Sequence, residues 1–224
     1  MNAIFYPSVH LFDTTYIPEI LHEIYMKGVY VQVLKGYKDL TILDFGANCG
    51  LATQYFRDVG KVYAVEPCPD QFEALKLNKE YNGWDNVEIF NLALADHNGQ
   101  AVFHTNRTNM TAGSLDNDFY NILRIAHKYE DITVKTVTID TFVHDNKIDK
   151  IDFMKMDIEG QENSIMQTEG FKTVLPKIQA CTIEFHSGGW EPLVQMMKDA
   201  GFGAEREPVE TNSYLFTRLP AYVA

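Results

Sequence analysis

The chain has 224 residues, 46% of them hydrophobic and 22% charged, with a formal net charge of -12. Such a length suits one sizeable domain with a proper core, and the composition excludes a chain dominated by disorder. The 19 lysines and arginines are scattered rather than gathered into a basic patch, so nucleic-acid backbones and anionic membrane surfaces are not expected as partners.

In chain order, the first forty residues carry Ile17, Ile20, Leu21, Ile24 and Tyr25 at helical spacing and predict an N-terminal cap over residues 1–40. From there to residue 224, short β-rich runs alternate with helical stretches, the pattern of a mostly parallel sheet with helices on both faces. Thr41 to Leu43 reads as a buried strand ending at Asp44, followed by a helix from Leu51 to Asp58. A second strand, Lys61 to Val65, ends at Glu66; Pro67 and Pro69 stop it before a helix from Asp70 to Tyr81, with Phe72, Leu75 and Leu77 as candidate core residues. The Asn82-Gly83 turn leads into a third strand, Val87 to Leu94, ending near Asp96. Gln100 to Thr105 and Ile132 to Ile139 alternate like half-exposed strands. Between them a polar stretch, 106–130, with helical character from Phe119 to Tyr129, is the expected acceptor lid, with His104 beside it and His127 within it. Then come a strand Ile151 to Met156 ending at Asp157, a helix Gln161 to Thr168, a strand Ile178 to Phe185 ending at His186, a helix Glu191 to Ala200, and two closing strands, Ala204 to Arg206 and Ser213 to Arg218.

Three cysteines, Cys49, Cys68 and Cys181, make an odd count without CxxC spacing, which argues against a disulfide framework and a zinc site. No run approaches the ~20 apolar residues of a membrane helix, and the N-terminus lacks the pattern of a signal peptide. A soluble, cytoplasmic domain is the expectation.

In an open α/β sheet, ligands bind beyond the carboxyl ends of the strands, where strand order reverses. The residues expected at those ends are Asp44, Glu66, Asp96, Asp157, Glu159, Glu184 and His186, a strongly acidic set. A dinucleotide pyrophosphate needs free backbone amides and few carboxylates, and the loop Gly46-Ala47-Asn48-Cys49-Gly50 has GxxxG spacing rather than GxGxxG. S-adenosylmethionine carries a sulfonium and an ammonium and no phosphate, so an acidic rim favours it over NAD. Within this reading, Gly46 lets the backbone approach the cofactor and Gly50 lets the next helix pack near the strand. Glu66, 22 residues after Asp44, can accept both ribose hydroxyls, and Asp96 can accept from the adenine amino group.

These segments resemble the FkbM family of methyltransferases. The resemblance rests on Leu43 to Gly50, Val62 to Pro67, Asn91 to Asp96, Val137 to Asp140, and most specifically on Lys155-Met156-Asp157-Ile158-Glu159-Gly160-Gln161-Glu162; it spans residues 40–190 and leaves out the cap and the 106–130 insertion. It implies a Rossmann-like class I methyltransferase fold, a seven-stranded sheet with the last strand antiparallel, and S-adenosylmethionine as cofactor. It further implies methyl transfer to a hydroxyl of a small-molecule or sugar acceptor, whose identity does not carry over. Carried onto this chain, it puts Asp44, Gly46, Asn48, Gly50, Glu66 and Asp96 at the cofactor and Asp157 at its methionine end.

Transfer to oxygen needs a base for the hydroxyl proton, and Asp157, Glu159 and His186 are the candidates; the ordinary pKa of histidine suits His186 best. Lys155, mid-strand, needs a neighbouring carboxylate. Asp157, Glu159 and Glu184 with His186 are metal-ligand types that could assemble a divalent-metal site, but nothing in their spacing demands a metal, and none is assigned. The rival readings are an NAD-dependent oxidoreductase and a non-catalytic relative that keeps the fold.

Overall fold

A computed structural model describes residues 31–106, 113–116, 129–206 and 212–218. Most of the expected N-terminal cap and most of the 106–130 insertion, including His127, lie outside these residues. The described elements are α1 (Val31–Leu34), β1 (Leu40–Phe45), α2 (Leu51–Phe56), β2 (Gly60–Val65), α3 (Pro69–Asn82), β3 (Val87–Phe90), β4 (Ala93–Leu94), β5 (Gly99–Asn106) and β6 (Tyr129–Val137). They continue with α4 (Ile139–Asp145), β7 (Ile151–Met156), α5 (Glu162–Gln167), α6 (Glu169–Val174), a 3-10 turn (Leu175–Lys177), β8 (Ile178–Glu184), α7 (Glu191–Asp199), β9 (Phe202–Arg206) and β10 (Ser213–Arg218).

Seven strands form the main sheet in the order β3-β2-β1-β7-β8-β10-β9. β3, β2, β1, β7 and β8 pair in parallel, and β10 runs antiparallel to both β8 and β9. This is the Rossmann-like sheet with its last strand antiparallel that the resemblance implies. Alternation along β1 sorts the core into two layers. Leu43 and Phe45 pack with Ile139 and Phe142 of α4, Ile165 of α5, Phe171 of α6 and Met197 of α7. Leu40 and Ile42 pack on the opposite face with Leu51 and Phe56 of α2 and Ala74 and Leu75 of α3. Helices therefore cover both faces, and β7, buried at all six positions, lies at the centre. No helix among the described residues is long and apolar enough to cross a membrane.

Three expectations are corrected. The apolar run Val87 to Leu94 is not one strand: β3 stops at Phe90, and β4 leaves the main sheet to pair in parallel with β6. Asn91 marks the break, because its amide donates to the carbonyls of Glu66 (2.9 Å) and Pro67 (3.0 Å) and turns the chain aside. β4, β6 and β5 make a separate three-stranded sheet, and Ile139 opens α4 instead of ending a strand. In α3, Leu75 is buried as expected, but Phe72 and Leu77 are only half-buried and Gln71 and Asn78 take the interior positions. Asn78 tolerates this because its amide donates to the Cys49 carbonyl at 2.7 Å.

Candidate active site

The strand order runs outward in one direction from β1 through β2 to β3 and in the other from β7 to β8, so the switch point lies between β1 and β7. The loops that follow these two strands, 46–50 and 157–161, meet there.

The first loop is tied down from within. The amides of Gly46 and Ala47 both donate to the Val65 carbonyl at 3.0 Å, and the Gly50 amide donates to Ala47 at 2.9 Å. Asn48 adopts φ 52 and donates its amide to Glu66 Oε2 (2.8 Å), while its own Oδ1 accepts from the Cys49 amide (2.7 Å). All five amides from Gly46 to Gly50 are thus spent inside the protein, and a pyrophosphate would have to break those bonds to be cradled there. Gly46, at φ +80, sits so close to β7 that a Cβ would run into the Asp157 carbonyl. At Gly50 the crowding comes from α3 and the loop beyond it: a Cβ would lie 2.7 Å from Leu75 and 3.1 Å from Trp84.

Asp44 lies beneath this loop, fully buried, with Oδ2 accepting from Thr53 at 2.5 Å and Oδ1 without a hydrogen-bond partner. Burial raises its pKa, and the Lys155 ammonium, 3.9 Å from Oδ1, opposes the rise. Glu66 closes β2 and joins two loops, since Oε2 holds Asn48 and Oε1 accepts from the Cys68 amide at 2.9 Å. Burial pushes its pKa up to about 7 against those two amide bonds. Asp96 stands apart from these residues in chain position. It follows β4 of the small sheet rather than β3, is exposed, and bonds His97 Nδ1 at 2.8 Å.

Beyond β7 and β8 the expected catalytic residues converge. His186 is nine-tenths buried, with Nε2 facing Glu184 (3.2 Å), Glu159 (3.4 Å) and Asp157 (3.8 Å). Its Nδ1 lies 3.0 Å from Glu162. Burial works against a charged ring, but the bonds to Glu162 and Glu184 and the charges of Glu159 and Asp157 outweigh it and push the pKa up to about 12. This rise, driven by the surrounding acids, runs against the near-neutral base expected of His186 and favours its charged form. Asp157 is kept ionised in spite of burial by Lys155, whose Nζ lies 3.1 Å away and also donates to the Gly46 carbonyl at 3.0 Å, and by His186. Lys155 thus has the carboxylate partners expected of it. Glu159, at φ 60, is pushed well above the usual carboxylate range by burial; the neighbouring acids add to this and His186 opposes it.

Asp157, Glu159 and His186 bring one ligand atom each within 4.8 Å of one another, so these three could hold a divalent cation. Cys49, Cys68 and Cys181 are buried, free thiols, with burial raising each pKa. None has the lowered pKa of a nucleophile.

Sequence reasoning missed Ser114 and Asp116. Ser114 bridges His104 backbone to backbone and donates its hydroxyl to the Glu159 carbonyl; Asp116 accepts from Ser187 at 3.3 Å. His104 itself is buried on Asp131 (2.8 Å). Only the polar bias of the insertion hinted that part of it reaches the loops after β7 and β8.

The family model of the methyltransferase FkbM domain matches residues 44–203. The hexuronic acid methyltransferase AglP of Haloferax volcanii is 25% identical over 158 residues, covering 67% of this chain and 58% of that protein. The 2-O-methyltransferase NoeI of Sinorhizobium fredii is also 25% identical over 158 residues, covering 66% of this chain and 63% of its own length. The chain thus spans about three-fifths of the length of these curated relatives. Among solved structures, precorrin-6y C5,15-methyltransferase from Geobacter metallireducens aligns with a TM-score of 0.49 at 12% identity, over 85% of this chain and 84% of that one.

Proposed function

Because the chain belongs to the FkbM methyltransferase family and has the class I methyltransferase fold, we propose that it methylates a hydroxyl oxygen of a small molecule or sugar with S-adenosylmethionine. The observation that carries this reading is the contrast across the switch point. On one side the loop amides are spent and unfit for a pyrophosphate; on the other, Asp157 and Glu184 present carboxylates suited to a sulfonium and an ammonium. S-adenosylmethionine would supply an activated methyl group that leaves sulfur as it bonds to oxygen, neutralising the sulfonium.

The protein's residues then divide the work. Glu66 holds the ribose hydroxyls on the lone pairs that Asn48 and Cys68 leave open, and the Gly46 to Gly50 loop walls the adenosine side. Asp157, ionised and steadied by Lys155, faces the methionine end. Glu159, beside His186, accepts the proton of the acceptor hydroxyl in its ionised form, a stronger base than an ordinary carboxylate and one populated as pH rises toward about 8. His186 stabilises the carboxylates as a cation instead of acting as the base. The names of AglP and NoeI favour a sugar hydroxyl as the acceptor.

Calorimetric titration is expected to show binding of S-adenosylmethionine and S-adenosylhomocysteine and none of NAD; the reverse would sink the reading. A screen of hydroxylated sugars, hexuronic acids included, with labelled methyl donor then identifies the acceptor. His186→Ala is expected to lower kcat about 100-fold while changing the cofactor Kd less than about threefold. An unaltered rate would retire His186.

The 4.8 Å cluster of Asp157, Glu159 and His186 favours a second reading, in which a divalent cation activates the hydroxyl. With His186 held as a cation, a metal must first displace its proton, so EDTA is expected to leave turnover intact. Loss of turnover restored by Mg2+ or Mn2+ would favour the metal.

A further inference from the structure

Glu162 opens α5 and has no exposed surface, a costly place for a carboxylate unless its oxygens are occupied. They are. Oε1 accepts from the amides of Ile158 (3.1 Å) and Gly160 (3.2 Å), and Oε2 from Gly160 again (3.1 Å). With amide hydrogens aimed at both of its oxygens, this carboxyl faces its neighbours as an acceptor. The remaining contact, 3.0 Å from Oε1 to His186 Nδ1, therefore requires the proton to sit on Nδ1.

Two consequences follow for the facing groups. Nδ1 being anchored, the ring cannot flip without putting carbon where Glu162 needs a donor, so Nε2 is fixed toward Glu184, Glu159 and Asp157. The same carboxylate grips the amides on both sides of Glu159, a non-glycine residue at φ 60 that needs outside support to stay there. Ser114 holds the Glu159 carbonyl from the opposite side. One buried side chain thus sets both halves of the Glu159–His186 pair, which lie in the loops after two different strands, β7 and β8.

We propose that Glu162 is the positioning residue of this site, fixing the His186 ring on Nδ1 and the Ile158–Gly160 turn together so that Glu159 and His186 Nε2 meet at the acceptor. This rests on the methyltransferase reading above. Glu162 touches neither cofactor nor acceptor; it acts through the two residues it holds.

Glu162→Gln keeps the size but replaces one acceptor oxygen with a donor, so the side chain can no longer serve all its partners. Nitrogen-resolved NMR of the His186 ring is expected to show a slowly exchanging Nδ1 proton in the wild type and its loss or rapid exchange in Glu162→Gln. With the acceptor found by the screen, kcat is expected to fall about 100-fold in this variant, with the S-adenosylhomocysteine Kd within about threefold. The double variant Glu162→Gln/His186→Ala is expected to lose clearly less than the product of the two single losses, since the part of the role exercised through the ring vanishes with the ring while the hold on the Ile158–Gly160 turn is still lost. A wild-type ring found without a proton on Nδ1 overturns the proposal with no variant needed. So does a Glu162→Gln enzyme with unchanged kcat, or a double variant whose losses multiply in full. Failure of the methyltransferase reading shows separately, as wild-type protein that binds neither sulfur cofactor.

Discussion

A Gly46→Ala variant is expected to lose about 2–5 kcal/mol of stability, the sum of a left-handed backbone for a residue with a Cβ and overpacking against β7. The position has φ +80, and the new Cβ would run into the Asp157 carbonyl. Relief by movement is blocked on both sides. The Asp157 amide donates to the Phe45 carbonyl at 3.2 Å, continuing the pairing of β1 and β7, and Lys155 clamps the Gly46 carbonyl at 3.0 Å. The strand ends must part at the point where the two site loops meet, so cofactor binding falls along with stability. A Tm lowered by about 5–15 °C is the expected thermal readout. A variant melting within about 2 °C of wild type, with unchanged cofactor affinity, would show that the close approach at Gly46 is not needed.

That glycine was legible in the sequence because a buried apolar run ending in Asp-Phe-Gly leaves little else for the chain to do than turn. The same logic placed β7 and β10 to the residue. It failed at Val87 to Leu94, where apolar character continues through a break made by hydrogen bonds from Asn91 to residues 24 and 25 positions earlier. Periodicity carries no information about such a partner, and the misreading put Asp96 at the end of β3 when it follows β4 of the small sheet. His186 shows the same limit in electrostatic form. Its position at the end of β8 was readable, whereas its charge depends on Glu162, 24 positions away in sequence and 3.0 Å away in space. Glu162 lay in plain view within the Lys155 to Glu162 run, yet a glutamate at a helix start reads first as a favourable helix-end charge. Only the direction its carboxylate takes, back toward Ile158 and Gly160, separates the two roles.

Glu66 links the legible part of the site to a measurable pH dependence. Burial raises its pKa to about 7, with the amides of Cys68 and Asn48 and the Lys155 charge limiting the rise and Asp44 adding to it. A folded-state pKa above the ordinary carboxylate value means that the fold favours the protonated form. The corresponding stability is fully present below the unfolded pKa and is lost as pH rises through about 7. Ribose hydroxyls ask for the opposite state, because only the ionised group can accept from both of them and from the two amides at once. Affinity for S-adenosylhomocysteine is therefore expected to tighten about tenfold between pH 6 and pH 8, the proton being lost before or upon binding. Glu66→Gln is expected to weaken binding about 10- to 100-fold at pH 8, the worth of a charge-assisted hydrogen bond, and to flatten the dependence. Calorimetry at pH 6, 7 and 8 on both proteins separates the contributors. Glu159 also has a raised pKa, so a slope that survives in Glu66→Gln would move the titration to the Glu159–His186 side of the switch point. Unchanged affinity in Glu66→Gln would remove Glu66 from the ribose altogether, leaving it only its structural task of joining the loops that follow β1 and β2.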